Sequence, residues 1–317
     1  MIAFILVAAG AVAQAQQAKR IPTIGFLSAR SGVESREETF RLALRQLGYV
    51  EGQSIVIDWR FAHGQANRLA DLAAELNRLN VDVIVTAGTE ATRAAKNLTG
   101  TIPLVFTAAT DPVGSGFIAS LSHPGGNVTG LSLDAPGLGG KRLEILKQSF
   151  PKIGRVAVLY GRSSPSSAII MKETEHAAQV LKIRLQLIGI DAAAELENAF
   201  NAMTKERAEA LLKLPSALLT SFRKKIVQLA AEKRLPAMYE DGIIAEGGGL
   251  MSYGPDITDL YRRSAFLVDR ILKGTTPADL PVEQPTKFEL VINLKAAKQI
   301  GVTMPPHVLA RADKVIR

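Results

Sequence analysis

Cysteine is absent from the 317 residues. That excludes disulfides, thiolate metal sites, cysteine nucleophiles and lipid attachment through a cysteine. Aromatic residues are sparse at 5%, and charged residues make up 21% against 47% hydrophobic. The chain is therefore neither a disordered polyelectrolyte nor a base-stacking surface. Its four histidines, His63, His123, His176 and His307, are dispersed, which argues against a zinc site. A Walker-type phosphate loop, a His-Glu-x-x-His helix and a Gly-x-Ser-x-Gly elbow are all missing. Gly114-Ser115-Gly116 followed by Ala119 loosely matches a dinucleotide fingerprint, but it follows Asp-Pro rather than a strand. The net charge of +8 raises the question of nucleic acid, yet the basic residues are scattered. Their densest runs, Arg223-Lys224-Lys225 and Arg262-Arg263, fall in helix-like stretches that suit a solvated face. No cofactor, metal or nucleic-acid partner is expected.

The apolar run over residues 1–12 is shorter than the roughly 20 residues a helix needs to cross a bilayer. Ala13-Gln14-Ala15 follows it and fits the small-x-small cleavage pattern. We expect an export signal over residues 1–15 and a mature chain starting at Gln16, although no Lys or Arg precedes the run. A short buried segment is the competing reading.

After Lys19-Arg20 the pattern alternates between strand and helix. Residues 23–28 form a short apolar run that ends in a small-residue loop. Phe40, Ala43, Leu44 and Leu47 then fall on one helical face, with Gly48 as the stop. Strands are expected over 54–59, 81–86 and 102–107. Helices fill the gaps, one on Leu69, Leu72, Ala73, Leu76 and Leu79, the next over 90–98. The order then restarts, with strands over 155–160, 184–190, 208–214 and 235–239. Helices over 167–181, 195–206 and 222–233 separate them. Strands joined by helical crossovers imply α/β architecture with doubly wound parallel sheets, here two copies. Small residues and Gly gather at a seam over 131–140, and a second seam lies at Gly254-Pro255. A helix over 256–273, a connector over 277–285 and a strand over 288–294 complete the chain.

In open parallel sheets, ligands sit beyond the C-terminal strand ends, where loops offer backbone amides. Two such sheets facing across a hinge would make a cleft. In the first half the candidate loops are 28–31, 87–89 and 107–112, with Ser28, Thr86, Gly88, Thr89, Thr107, Asp111 and Pro112 as candidate ligand residues. Gly88 lets a ligand approach the backbone and Thr89 offers a hydroxyl. Thr89 also suits a plain helix cap. Asp111 could pair with a ligand ammonium or cap the helix after Pro112. The matching loops of the second half are 160–164, 215–218 and 239–242, which bring Tyr160, Arg162, Ser216, Tyr239 and Asp241. A tyrosine at a strand end can stack on a flat ligand or be a core residue with its hydroxyl at the rim.

Several strings in order carry a family resemblance. They are Gly48-Tyr49-Val50-Glu51-Gly52, Asp111-Pro112-Val113-Gly114-Ser115-Gly116, Pro124-Gly125-Gly126-Asn127-Val128-Thr129-Gly130, Gly248-Gly249-Leu250-Met251-Ser252-Tyr253-Gly254 and Leu280-Pro281-Val282-Glu283-Gln284-Pro285. The chain resembles the ABC transporter substrate-binding family that includes tryptophan/tyrosine-type binding proteins, over essentially all of residues 21–316. The resemblance implies a type I periplasmic-binding fold, in which two doubly wound parallel-sheet lobes are joined by a three-stranded hinge. It implies lobe one over 20–133 plus 255–274 and lobe two over 134–254 plus 275–317. It implies capture of a small polar solute, an aromatic amino acid or a related carboxylate, by lobe closure and delivery to permease subunits in the inner membrane. A monomer free in the periplasm, not an enzyme, is expected. A ligand-sensing receptor that presents its solute to a sensor kinase is the alternative reading. Two departures touch the cleft. Relatives usually carry a Trp-Asn-Pro-like segment where this chain has Tyr160-Gly161-Arg162, and often an Asp where it has Ser216. The second suggests a ligand without an ammonium at that point, or a site that uses Arg162 instead.

Overall fold

The computed structural model describes residues 20–98, 100–133, 137–164 and 167–317. The expected export signal, part of the first seam and residues 165 and 166 lie outside the described residues. Among the described residues the strands form two sheets, one of five and one of seven.

The first sheet is built from β1 (Thr23–Ser28), β2 (Val56–Phe61), β3 (Val83–Ala87), β4 (Leu104–Ala109) and β5 (Val128–Ser132), with α1 (Ser35–Gln46), α2 (Leu69–Arg78) and α3 (Thr89–Lys96) as crossovers. Its order is β2-β1-β3-β4-β5, all parallel. β3 is buried along its whole length, with Thr86 as its one polar residue, as suits a strand covered on both faces. One apolar cluster holds Phe26, Phe40, Leu44, Val85 and Tyr261, and the other holds Leu27, Leu72, Leu76, Ile84 and Phe106.

The second half repeats the plan. It contains α4 (Leu138–Ser149), β6 (Arg155–Gly161), α5 (Ser167–Leu181), β7 (Arg184–Ile190), α6 (Leu196–Lys205), β8 (Ala210–Lys213), α7 (Ala217–Ser221), α8 (Arg223–Glu232), β9 (Ala237–Tyr239), α9 (Gly242–Glu246) and β10 (Met251–Pro255). The order β7-β6-β8-β9-β10 reproduces that of the first sheet. The chain then crosses back as α10 (Ile257–Leu272), which packs on α1 and β4. Its stripe of Ile257, Leu260, Tyr261, Val268 and Ile271 is buried in the first lobe. β11 (Phe288–Asn293) returns to the second sheet antiparallel to β10. It is followed by α11 (Leu294–Ile300), α12 (Pro306–Leu309) and β12 (Lys314–Ile316), which pairs parallel with β11. Sheet two is therefore parallel over β7-β6-β8-β9-β10 and mixed at the edge where the last strands return.

The last crossover falls later than the expected boundary at 275. Leu280 and Val282 are buried in the first lobe. Glu283 brackets the edge of β5, its N–H donating to the Gly130 carbonyl at 3.1 Å and its carbonyl accepting from Ser132 N–H at 2.8 Å. The Thr129 hydroxyl donates to the Leu280 carbonyl at 2.7 Å. This segment covers an otherwise open sheet edge, which is why it stays with lobe one until the chain passes 283.

β5 and β10 were not expected as strands, because Gly, Ser and Pro in them read as seam. Both glycines serve close packing between neighbouring strands. A Cβ on Gly130 would run into the Phe106 carbonyl, and one on Gly254 into the Glu240 carbonyl. Each lies in the fifth strand of its lobe, beside a hinge crossover.

Candidate functional site

The C-terminal strand ends of the two sheets meet. Between them lies a cavity with about 50 Å³ of free space, walled by Arg30, Arg36, Ala87, Gly88, Ala108 and Leu133 from one side. Pro215, Ser216, Ala217, Thr220, Glu240 and Asp241 close it from the other, and Ile257 and Tyr261 complete the wall. That space holds only a few water molecules, at roughly 10–15 Å³ each. The lobes are thus closed on each other, and admission of a solute requires them to part. A wider crevice of about 600 Å³ flanks the cavity, between Gln65, Ala66 and Arg93 of lobe one and Ser163, Asp191 and Ala192 of lobe two.

The β1–α1 turn and the first turn of α1 supply the positive groups, Arg30 and Arg36. Ser28 is buried, and its hydroxyl accepts the Arg30 N–H at 3.1 Å, which fixes the turn. Arg30 is 3% exposed and pairs with Glu37 at 3.3 Å and with Glu34. Burial opposes its charge, but Tyr261, Glu37 and Glu34 outweigh that and hold its pKa above the usual guanidinium value. Burial and then Glu37 push the Tyr261 hydroxyl up to about 12, against the pull of Arg30 and Arg36. Arg36, 4% exposed, reaches across the cleft to Asp241, which is 3% exposed. Asp241 also caps α9, accepting from Ile243 N–H at 3.2 Å.

Two further polar contacts join the lobes. The Ser216 hydroxyl donates to the Glu90 carboxylate at 2.7 Å, and Arg223 donates to Glu34 at 2.7 Å. At Gly88, φ is 87° and ψ is 170°, a backbone essentially reserved for glycine. A Cβ there would come within 2.9 Å of the Ala217 Cβ in the other lobe. β4 ends irregularly, with a register shift between Thr107 and Ala109 and Ala108 at φ 56°. An alanine in the left-handed region is strained, and this one lies on the cavity wall.

Of the residues expected from sequence, the structure brings Gly88, Ser216 and Asp241 to the cavity. Others stand behind the wall. The Thr86 and Thr92 hydroxyls bond at 2.8 Å, and Thr89 accepts the Thr110 N–H at 2.9 Å. Thr107 is fully buried, and its hydroxyl has no partner among the described residues. Asp111 accepts the Gly114 N–H at 2.9 Å and Pro112 is buried in the same turn, so this segment organises itself rather than facing the cavity.

Three lobe-two candidates lie away from the cavity wall. Tyr160 lies over Gly189 of the neighbouring strand and packs on the core, because its side chain leaves β6 sideways rather than at the tip. Tyr239 is fully buried among Leu211, Leu229 and Ile244, where burial and then Glu240 push its hydroxyl well above the usual range. Arg162 is exposed and holds Glu195 at 2.6 Å and the Gly189 carbonyl at 2.8 Å. It cannot replace a carboxylate at Ser216. The Ser216 hydroxyl is instead turned to the Glu90 carboxylate of lobe one.

Arg30, Arg36, Glu90 and Glu240 were not singled out from sequence. For two of them a signal existed: Glu240 and Asp241 directly follow a buried strand, and Arg30 sits inside a loop already marked as a strand-end loop. Among the described residues no group of three or more metal-ligating side chains forms, and no helix is long and apolar enough to cross a membrane.

Comparison with known proteins follows the same lines. Residues 22–316 match the family described as ABC transporter substrate binding protein. A tyrosine-binding protein of Clostridioides difficile is 27% identical over 274 residues, covering 85% of this chain and 77% of that one. A conserved domain protein from Vibrio cholerae superposes with a TM-score of 0.87 at 28% identity, covering 93% of this chain and all of the other. An ABC domain from Streptococcus pneumonia in complex with L-Trp superposes at 0.83 with 26% identity, covering 93% of this chain and 99% of that one.

Proposed function

The chain belongs to the ABC transporter substrate-binding protein family, and on that footing we propose that it is the extracytoplasmic solute-binding component of an ABC importer. It takes a small polar solute, an aromatic amino acid or a related carboxylate, between its lobes in the periplasm and delivers it to the permease. The observation that carries this reading is the convergence of strand-end loops from both sheets on one cavity that holds two buried arginines, Arg30 and Arg36. Guanidinium forks match carboxylates. The similarity to a tyrosine-binding protein and to a structure holding L-Trp supports the aromatic amino acid class.

Closure follows from population shift. A solute that touches both lobes only in the closed state stabilises that state by its differential affinity. A micromolar solute supplies about 8 kcal/mol at the 1 M standard state, part of which offsets ordering of the hinge. Isothermal titration with L-tyrosine, L-tryptophan and small carboxylates, with small-angle scattering in parallel, tests the reading. Binding should coincide with a smaller radius of gyration. Tight binding with no change in lobe separation would count against the mechanism, and no binding across the panel would count against the solute class.

A further inference from the structure

We propose that Glu240 is the specificity-determining acceptor of the cleft, and that its free carboxylate oxygen selects solutes carrying a primary ammonium. The inference rests on the interlobe cavity being the solute site. Glu240 directly follows β9, lines the cavity and is 2% exposed. One of its oxygens is taken by the Lys213 ammonium, with the Thr220 hydroxyl 3.3 Å away and donating at 2.8 Å to the Ser216 carbonyl. The other is buried and has no hydrogen-bond partner among the described residues. A buried carboxylate oxygen without a donor is costly, and folded proteins rarely leave one without a use.

Its neighbours leave that task to Glu240. Asp241 is spent on Arg36 and on the cap of α9. Glu90 is engaged by Ser216. Lys213 lies wholly buried in β8 and is not part of the cavity wall, whereas Glu240 is, so a cation entering the cavity meets Glu240 and not Lys213. The backbone is fixed as well, because the Glu240 carbonyl packs so closely on Gly254 that no side chain fits between them. Opposite, the Nε atoms of Arg30 and Arg36 are also buried without partners among the described residues. Acceptor and donors on facing walls suit a solute with a cationic group toward lobe two and an anionic group toward lobe one.

The test uses matched pairs on the purified protein, namely L-tyrosine, L-tryptophan, L-leucine and L-glutamate, each against its deamino acid, with glucose and ribitol as amine-free polyols. Wild type should prefer at least one amine form over its deamino partner by about tenfold to a hundredfold. Glu240→Gln should bring that pair to near-equal affinity while binding of the deamino acid is retained. Because Glu240→Gln strands a buried ammonium, Glu240→Gln/Lys213→Met is measured beside it, with melting temperature as the check on folding. A deamino acid or polyol binding as tightly as any amine, or a preference that survives in the folded double variant, overturns the assignment and leaves the cleft reading intact. If no amine binds, the assignment falls. If no probe of any class binds or closes the lobes, the proposed function falls with it.

Discussion

The two walls of the cleft share one topology and carry opposite charge. The strand orders β2-β1-β3-β4-β5 and β7-β6-β8-β9-β10 are the same, yet lobe one offers Arg30 and Arg36 to the cavity and lobe two offers Glu240 and Asp241. Duplicated architecture fixes where strand tips lie and leaves what stands on them free. Complementary walls attract, so closure stabilises itself partly through Arg36 and Asp241, and the solute must take its place among charges that already face each other.

The contrast predicts a ranking of effects. The largest should come from Arg36→Ala. It leaves Asp241 buried without its cation in the closed state, at about 3–5 kcal/mol. Scattering should then show separated lobes, and solute affinity should fall by two orders of magnitude or more. Arg36→Ala/Asp241→Ala should recover much of the closed population, and a double variant as open as the single one would show that the pair is not what couples the walls. Next is Gly88→Ala. The contact with Ala217 should weaken closure, and backbone strain of about 1–3 kcal/mol within lobe one should also lower its melting temperature by several degrees. Unaltered scattering on solute addition would contradict it. Ser216→Ala removes both the bond to Glu90 and the cap on Leu219 N–H, a loss of about 1–2 kcal/mol readable as a several-fold rise in Kd.

The smallest effect is on pH. Burial works to raise the Glu34 carboxyl, but Arg223 across the cleft and Arg30 beside it outweigh burial and pull it below the usual carboxylate value. A lowered pKa means that the carboxylate favours the closed form. Its contribution is complete above the ordinary carboxyl range and fades as pH drops through the lowered value. Closure monitored by a fluorophore pair should therefore weaken modestly in acid, and Glu34→Gln should flatten that dependence. Arg162→Ala should leave affinity unchanged, since the side chain is exposed and tied to Glu195.

Much of the fold was legible because periodicity reports burial. β3 is apolar but for Thr86, and α10 carries its stripe at helical spacing. β5 and β10 were not, since Gly130 and Gly254 look like turn residues until a neighbouring strand is seen to need the space of their missing side chains. The 280–283 segment reads as a connector for the same reason. Its partner, the edge of β5, is about 150 residues away in sequence.

The sequence by itself determined two α/β halves, the strand-end loops as the place for a ligand and the family, because those follow from local pattern and ordered strings. Tertiary structure decided which side chains in those loops face the cavity. It turned Tyr160 and Tyr239 into their own lobe, sent Arg162 to the surface and set Arg36 against Asp241, 205 residues apart. Side-chain direction at a strand tip depends on what packs behind it, and charge pairing across a cleft depends on how two separately folded halves meet. Neither is encoded within reach of a local pattern.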